Sequence, residues 1–207
     1  GVLIPLDEIL LLAKAAQENN TRLVIDESFI DFADPDKRYT LFNNDILNQY
    51  PNLCVIKSIS KSYGVPGLRL GVLASGDKEF IKQLSQIISI WNINSFAEYF
   101  LQIFNLYQKE YTDACDKIAN ERNRFIKELS SIKSIKVYPS QANYVMIDLK
   151  HTNSYQFCVD MLEDYNIFIK DLSSKSYFEG KNYIRVSIRN TEDNNAFLKA
   201  AKEKLNV

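Results

Sequence analysis

The strongest constraint on how this chain folds is an alternation of two periods. A helical pattern runs from Leu6 to Asn19, with Leu6, Ile9, Leu10 and Ala13 on one face, Pro5 before it and Asp7 and Glu8 in the first turn. "RLVIDE" (22–27), "LCVIKS" (53–58) and "LRLGVLAS" (68–75) then read as short buried strands, and a helix from about Asp77 to Ile90 carries Phe80, Leu84, Ile87 and Ile88 inward. Helices alternating with short apolar strands predict an α/β fold with a mostly parallel sheet.

The second half differs. A helical stretch from Ser95 to Ser130 is expected, broken at most once, with Ser95 and Glu98 as a capping box. Four strand patterns follow, "SIKVYP", "ANYVMIDL", "NIFIKDL" and "NYIRVSIR", with a helix over 154–165 among them and a last helix over 192–205 that Thr191 would cap. This reads as a small α+β domain with a partly antiparallel sheet. The boundary falls inside the long helix, giving domains of 1–110 and 111–207.

Composition narrows the chemistry. The net charge of -1 supplies no global field toward nucleic acid or membrane, and no apolar run is long enough to span a bilayer. Cys54, Cys115 and Cys158 are far apart and odd in number, and His151 is the single histidine. That pattern argues against a disulfide framework, a metal site and a histidine-based triad, and suits a reducing cytoplasm.

Two strand ends carry residues suited to chemistry. Asp26 follows Leu23, Val24 and Ile25, where α/β folds collect ligands beyond the strand ends. It is either a cap or ion-pair residue, or a carboxylate that meets a cationic ligand group. Lys61 follows "LCVIKS" in "SISKSYGVPGLRLG". Ser58 and Ser60 offer hydroxyls, Arg69 offers a bidentate clamp, and Gly64, Pro66 and Gly67 allow a tight turn. The stretch is a surface turn with a solvated lysine, or an anion site with an amine beside it. A carboxylate and a lysine on neighbouring strand ends together suit pyridoxal phosphate, which needs an acid at its ring nitrogen, an amine for its aldehyde and donors for its phosphate.

"VIDESFIDF" followed by "SISKSYGVPGLRLG" resembles the class I/II aminotransferases of pyridoxal-phosphate fold type I, in the branch of histidinol-phosphate aminotransferase and threonine-phosphate decarboxylase. The S-x-S-K pattern and the arginine eight residues after the lysine are both present. The resemblance implies that Lys61 is the Schiff-base lysine, that Ser58, Ser60 and Arg69 bind the cofactor phosphate, and that Asp26 pairs with the ring nitrogen. "PSQANYVMIDL" and "YIRVSIR" are similar to the family too, and imply that Arg185 clamps the substrate carboxylate. "WNINSFA" (91–97) resembles the segment leading into the interdomain helix, where Asn94 either caps that helix or faces the substrate. The implied partners are a small amino acid or phosphorylated amine and a second subunit in a homodimer, with no metal.

The chain departs from the pattern in places. Histidinol-phosphate aminotransferases usually have a tyrosine where this chain has Phe29. "DESFIDF" is nearer to the decarboxylase form, and Arg189, either a substrate-anion residue or a surface arginine, points the same way. Gly1 resembles the last residue of the family's N-P-x-G motif. The expectation is therefore that the chain corresponds to the C-terminal half of a family member and, alone, binds cofactor weakly or not at all. Three functions are consistent with these residues: an aminotransferase as the leading expectation, a decarboxylase on the same scaffold, or a non-catalytic remnant.

Overall fold

A computed structural model describes residues 1–205. Its contacts divide the chain into two units, Ile4–Cys115 and a second made of Gly1–Leu3 with Asp116–Val207. The division falls inside one long helix.

The Ile4–Cys115 unit contains α1 (Leu6–Glu18), β1 (Leu23–Asp26), α2 (Asn44–Gln49), β2 (Leu53–Ser58), the one-turn α3 (Ile59–Ser62), β3 (Gly71–Ser75), α4 (Lys78–Ile87), α5 (Ser95–Ile103) and the start of α6 (Gln108–Ser130). The sheet order is β1-β2-β3. β1 and β2 run parallel, as the intervening helix allows. β3 returns antiparallel to β2, because the 59–70 connection holds only one helical turn and a short 3₁₀ turn, too little for a parallel crossover. That 3₁₀ turn (Pro66–Leu68) and the left-handed Arg69 (φ 57°) delay β3 to Gly71, so the strand pattern expected from Leu68 starts three residues late. Leu53 and Val55 of β2 pack with Ile9, Leu41 and Leu47 as this unit's main core. Gly76 ends β3 directly against α2, where any Cβ would collide with the Leu47 carbonyl.

Two further local expectations in this unit are corrected. Ser95 does not cap α5. Asn94 does, its Oδ1 accepting the Ala97 N–H at 3.0 Å. The apolar stripe of α4 does not enter a core either: none of its residues is buried, and Ile87 is 79% exposed. The exposure continues through Ile90 (95%) and Trp91 (91%) to Phe96 and Tyr99.

The second unit contains the rest of α6, β4 (Lys136–Val137), β5 (Tyr144–Asp148), α7 (Ser154–Tyr165), β6 (Lys170–Asp171), β7 (Tyr183–Ser187) and α8 (Thr191–Lys204). Its sheet order is β4-β5-β7-β6, every pair antiparallel. Strict alternation turns Val145 and Ile147 of β5, with Ile184 and Val186 of β7, onto Phe125, Leu129, Met161 and Phe197 of the helices. Tyr144, Met146, Tyr183 and Arg185 occupy the other face. Asn190 rather than Thr191 caps α8, its Oδ1 accepting the Asp193 N–H at 2.7 Å. Among the described residues, no helix is long and apolar enough to cross a membrane, and no cluster of three or more His, Cys, Asp or Glu has metal-site geometry.

Candidate functional site

The ends of β1 and β2 open into a cleft of about 880 Å³ within the Ile4–Cys115 unit. That lies within the roughly 300–1,000 Å³ usual for small-molecule sites. Asp26, Ser58, Lys61 and Arg69 all line it, with Ser28, Lys57 and Asn92. Ile81 and Leu84 of α4, with Ile88 just after it, form an apolar wall.

Each polar group is placed by its local fold. Asp26 ends β1, and its Oδ1 accepts the Ser28 N–H at 2.8 Å and the Ser28 hydroxyl, forming an Asx turn. The Ser28 Oγ in turn accepts the Ser58 N–H at 2.9 Å, so one serine joins the ends of two strands. Lys61 sits on α3, directly after β2, with Nζ 4.6 Å from the centroid of the Phe29 ring. Ile59 packs with Leu70 and Ala97, and its N–H reaches the Leu70 carbonyl at 3.1 Å, which fixes α3 against the return strand. Behind α3, Tyr63 stacks on Tyr111 at 4.3 Å and meets Phe104 at 4.6 Å. Burial pushes the Tyr63 and Tyr111 phenols up, so both stay neutral. Gly64 leaves the turn at φ 67°, in the left-handed region glycine favours.

Lys57, at the cleft wall, pairs with Asp31 at 2.7 Å, the two side chains being 11% and 15% exposed. Glu27 points away from the cleft. Its carboxylate is buried, accepting the Leu41 N–H at 2.6 Å and the Thr40 hydroxyl at 2.9 Å. Burial raises its pKa, against the pull of those two donors and of Lys57.

Not every residue singled out in the sequence reaches this cleft. Ser60 is buried, with its hydroxyl toward the Leu70 carbonyl at 3.4 Å, and it does not line the cleft. Asn94 is engaged at both ends of its amide, by Ala97 N–H and by the Leu68 carbonyl at 3.1 Å. Arg185 and Arg189 belong to the second unit. Arg185 lies on the outer face of β7 with its guanidinium carbon 5.3 Å from the Tyr144 ring centroid. Arg189 holds Asp193 at 2.6 Å. The buried Asn194 brackets the Arg189 backbone, accepting its N–H and donating to its carbonyl. Asn194 also donates to Glu121, whose acid is held below the usual carboxylate range chiefly by Arg124.

Sequence reasoning missed Ser28 and the Lys57–Asp31 pair. A serine two residues after an aspartate at a strand end is the Asx-turn signal that could have found the first. The second joins residues 26 positions apart and has no local signature.

The residues present fit pyridoxal phosphate: a carboxylate for the ring nitrogen, a primary amine for the aldehyde, and a hydroxyl with a guanidinium for the phosphate, all in one cleft. The model of the aminotransferase class I and II family matches residues 1–200. The chain belongs to this family. As a family member it is 37% identical over 185 residues to an L-serine phosphate decarboxylase of Sulfurospirillum multivorans, covering 87% of this chain and 47% of the relative. It superposes on the histidinol-phosphate aminotransferase of Clostridium acetobutylicum with a TM-score of 0.86 at 29% identity, over 99% of this chain and 60% of that one. The fold is shared too with a histidinol-phosphate aminotransferase of Sinorhizobium meliloti solved with pyridoxal 5'-phosphate, at TM-score 0.76 and 24% identity over 100% and 54% of the two chains. The family uses pyridoxal phosphate as cofactor. This family member spans about half the length of the curated relatives it matches.

Proposed function

We propose that the intact protein is a pyridoxal-phosphate enzyme that decarboxylates an amino acid carrying a phosphate group. The observation that carries the cofactor part is the single cleft lined by Asp26, Ser58, Lys61 and Arg69. Bound there, the cofactor supplies an electron sink for negative charge on the substrate α-carbon. Lys61 Nζ anchors the cofactor aldehyde. Asp26 holds a proton at the ring nitrogen, and Ser58 and Arg69 take the phosphate, with Ser60 supporting the turn from behind. Lys61 is also the group that moves a proton at the α-carbon, delivering one there after carbon dioxide leaves. The roles of Arg185 on the substrate carboxylate and of Arg189 on its phosphate rest on the motif resemblance. Asn94 serves as the helix cap that sets the segment beside the cleft.

Decarboxylation is favoured by the relative at 37% identity and by Phe29, which offers no hydroxyl next to Lys61. Amino transfer is the second reading, favoured by the superposition on an aminotransferase. In that case Lys61 removes the α-proton instead of delivering one. The test is incubation of the intact protein and cofactor with L-serine phosphate, in the presence and absence of a 2-oxo acid. Carbon dioxide without a keto-acid product supports decarboxylation, and a keto acid formed only with the 2-oxo acid supports transfer. Retention of either activity by Lys61→Ala would refute the assignment of that lysine.

A further inference from the structure

We infer that Tyr144 is a positioning residue whose ring fixes the Arg185 guanidinium for anion binding; this rests on the reading of Arg185 as the substrate-carboxylate residue. The sheet register sets the contact. Across β5 and β7, Tyr144 faces Ser187 and Met146 faces Arg185, so Tyr144 and Arg185 are diagonal neighbours on the same outer face. The guanidinium carbon lies 5.3 Å from the ring centroid, inside the roughly 6 Å range of a cation–π contact.

The way other arginines are held makes the contrast. Arg22 pairs with Asp77 at 2.9 Å, Arg124 with Glu121 at 2.6 Å and Arg189 with Asp193 at 2.6 Å. Each gives N–H donors to a carboxylate. Among the described residues, no ion pair or hydrogen bond takes a donor from the Arg185 side chain. An exposed arginine otherwise has many rotamers, and a ligand must freeze them. A carboxylate neighbour would restrain the side chain but consume the fork that binds a ligand. A ring restrains it through its face, leaving the in-plane donors for a bidentate anion.

The experiment measures kcat and KM of the intact, cofactor-loaded protein for L-serine phosphate from initial rates, with KM reporting binding. Tyr144→Phe keeps the ring and should bind as the wild type does. Tyr144→Leu should bind about 2–5-fold more weakly, the range of an exposed cation–π contact. A ring-pentafluorinated phenylalanine at position 144 keeps the shape but reverses the ring's electrostatics, and should weaken binding as Leu does. That readout does not move if the ring serves only to pack, and it remains available if the leucine variant fails to fold. Wild-type affinity in the fluorinated variant, with weakened binding in Arg185→Ala, would overturn the role of Tyr144 alone. Unchanged affinity in Arg185→Ala, or no binding by the wild type, would overturn the reading of Arg185 and the inference with it.

Discussion

Glu27 gives a quantitative test of how the strand end beside Lys61 is held. It follows Asp26 directly, is 3% exposed, and ties β1 to the 40–41 segment through Leu41 N–H and Thr40 hydroxyl. Glu27→Ala strands the N–H of Leu41, a residue with no exposed surface. An orphaned buried donor costs about 1–3 kcal/mol, and the lost methylene adds about 0.8 kcal/mol. The expected loss is therefore about 2–4 kcal/mol of unfolding free energy. Glu27→Gln keeps the shape and an oxygen for Leu41, while the Thr40 hydroxyl can turn to accept from the amide, so the loss should stay near 1 kcal/mol. The pH dependence separates charge from shape. Burial raises the folded-state pKa above the ordinary 4.5. Between 4.5 and the raised value the folded chain therefore holds more protons than the unfolded chain. Unfolding free energy from this group falls as pH rises through that window and is flat above it. Urea denaturation of wild type and Glu27→Gln across that window should show the decline in the wild type only. Parallel profiles, or a glutamine variant as unstable as the alanine one, would refute the reasoning.

Two further outcomes are expected. Lys57→Met leaves Asp31 charged and nearly enclosed, and should cost about 3–5 kcal/mol, with most of it recovered when Asp31→Asn is added; urea denaturation of single and double variants checks this. The exposed run of Ile87, Ile90, Trp91 and Phe96 should drive concentration-dependent association of the isolated 207-residue chain, and Ile90→Lys with Trp91→Lys should reduce it in sedimentation velocity.

The strongly periodic elements are legible in the sequence. β2 spans the predicted 53–58, α7 the predicted 154–165, and the long helical stretch is broken once, by a 3₁₀ turn at Phe104–Tyr107. Failures occurred where local signals compete. Asn94 and Ser95, and Asn190 and Thr191, are adjacent residues that both cap helices well, and in each pair the asparagine in extended backbone takes the position. α2 went unseen because six residues carry too little periodicity. At the site, the sequence brought out Asp26, Ser58 and Lys61 because each sits at or just after a strand end, and Arg69 through its eight-residue step from Lys61. It placed Ser60 among cofactor ligands, whereas one helical turn rotates that hydroxyl toward Leu70.

Ser28 has a consequence for what the cleft can accept. Its hydroxyl donates to the Asp26 carboxylate and accepts the Ser58 N–H, so the ends of β1 and β2 are joined through one oxygen atom. The spacing between the Asp26 carboxylate and the Ser58 backbone is therefore held by hydrogen bonds within the protein itself. On the proposed reading, a ligand with an acidic group and a basic ring nitrogen meets both ends of that bridge at once.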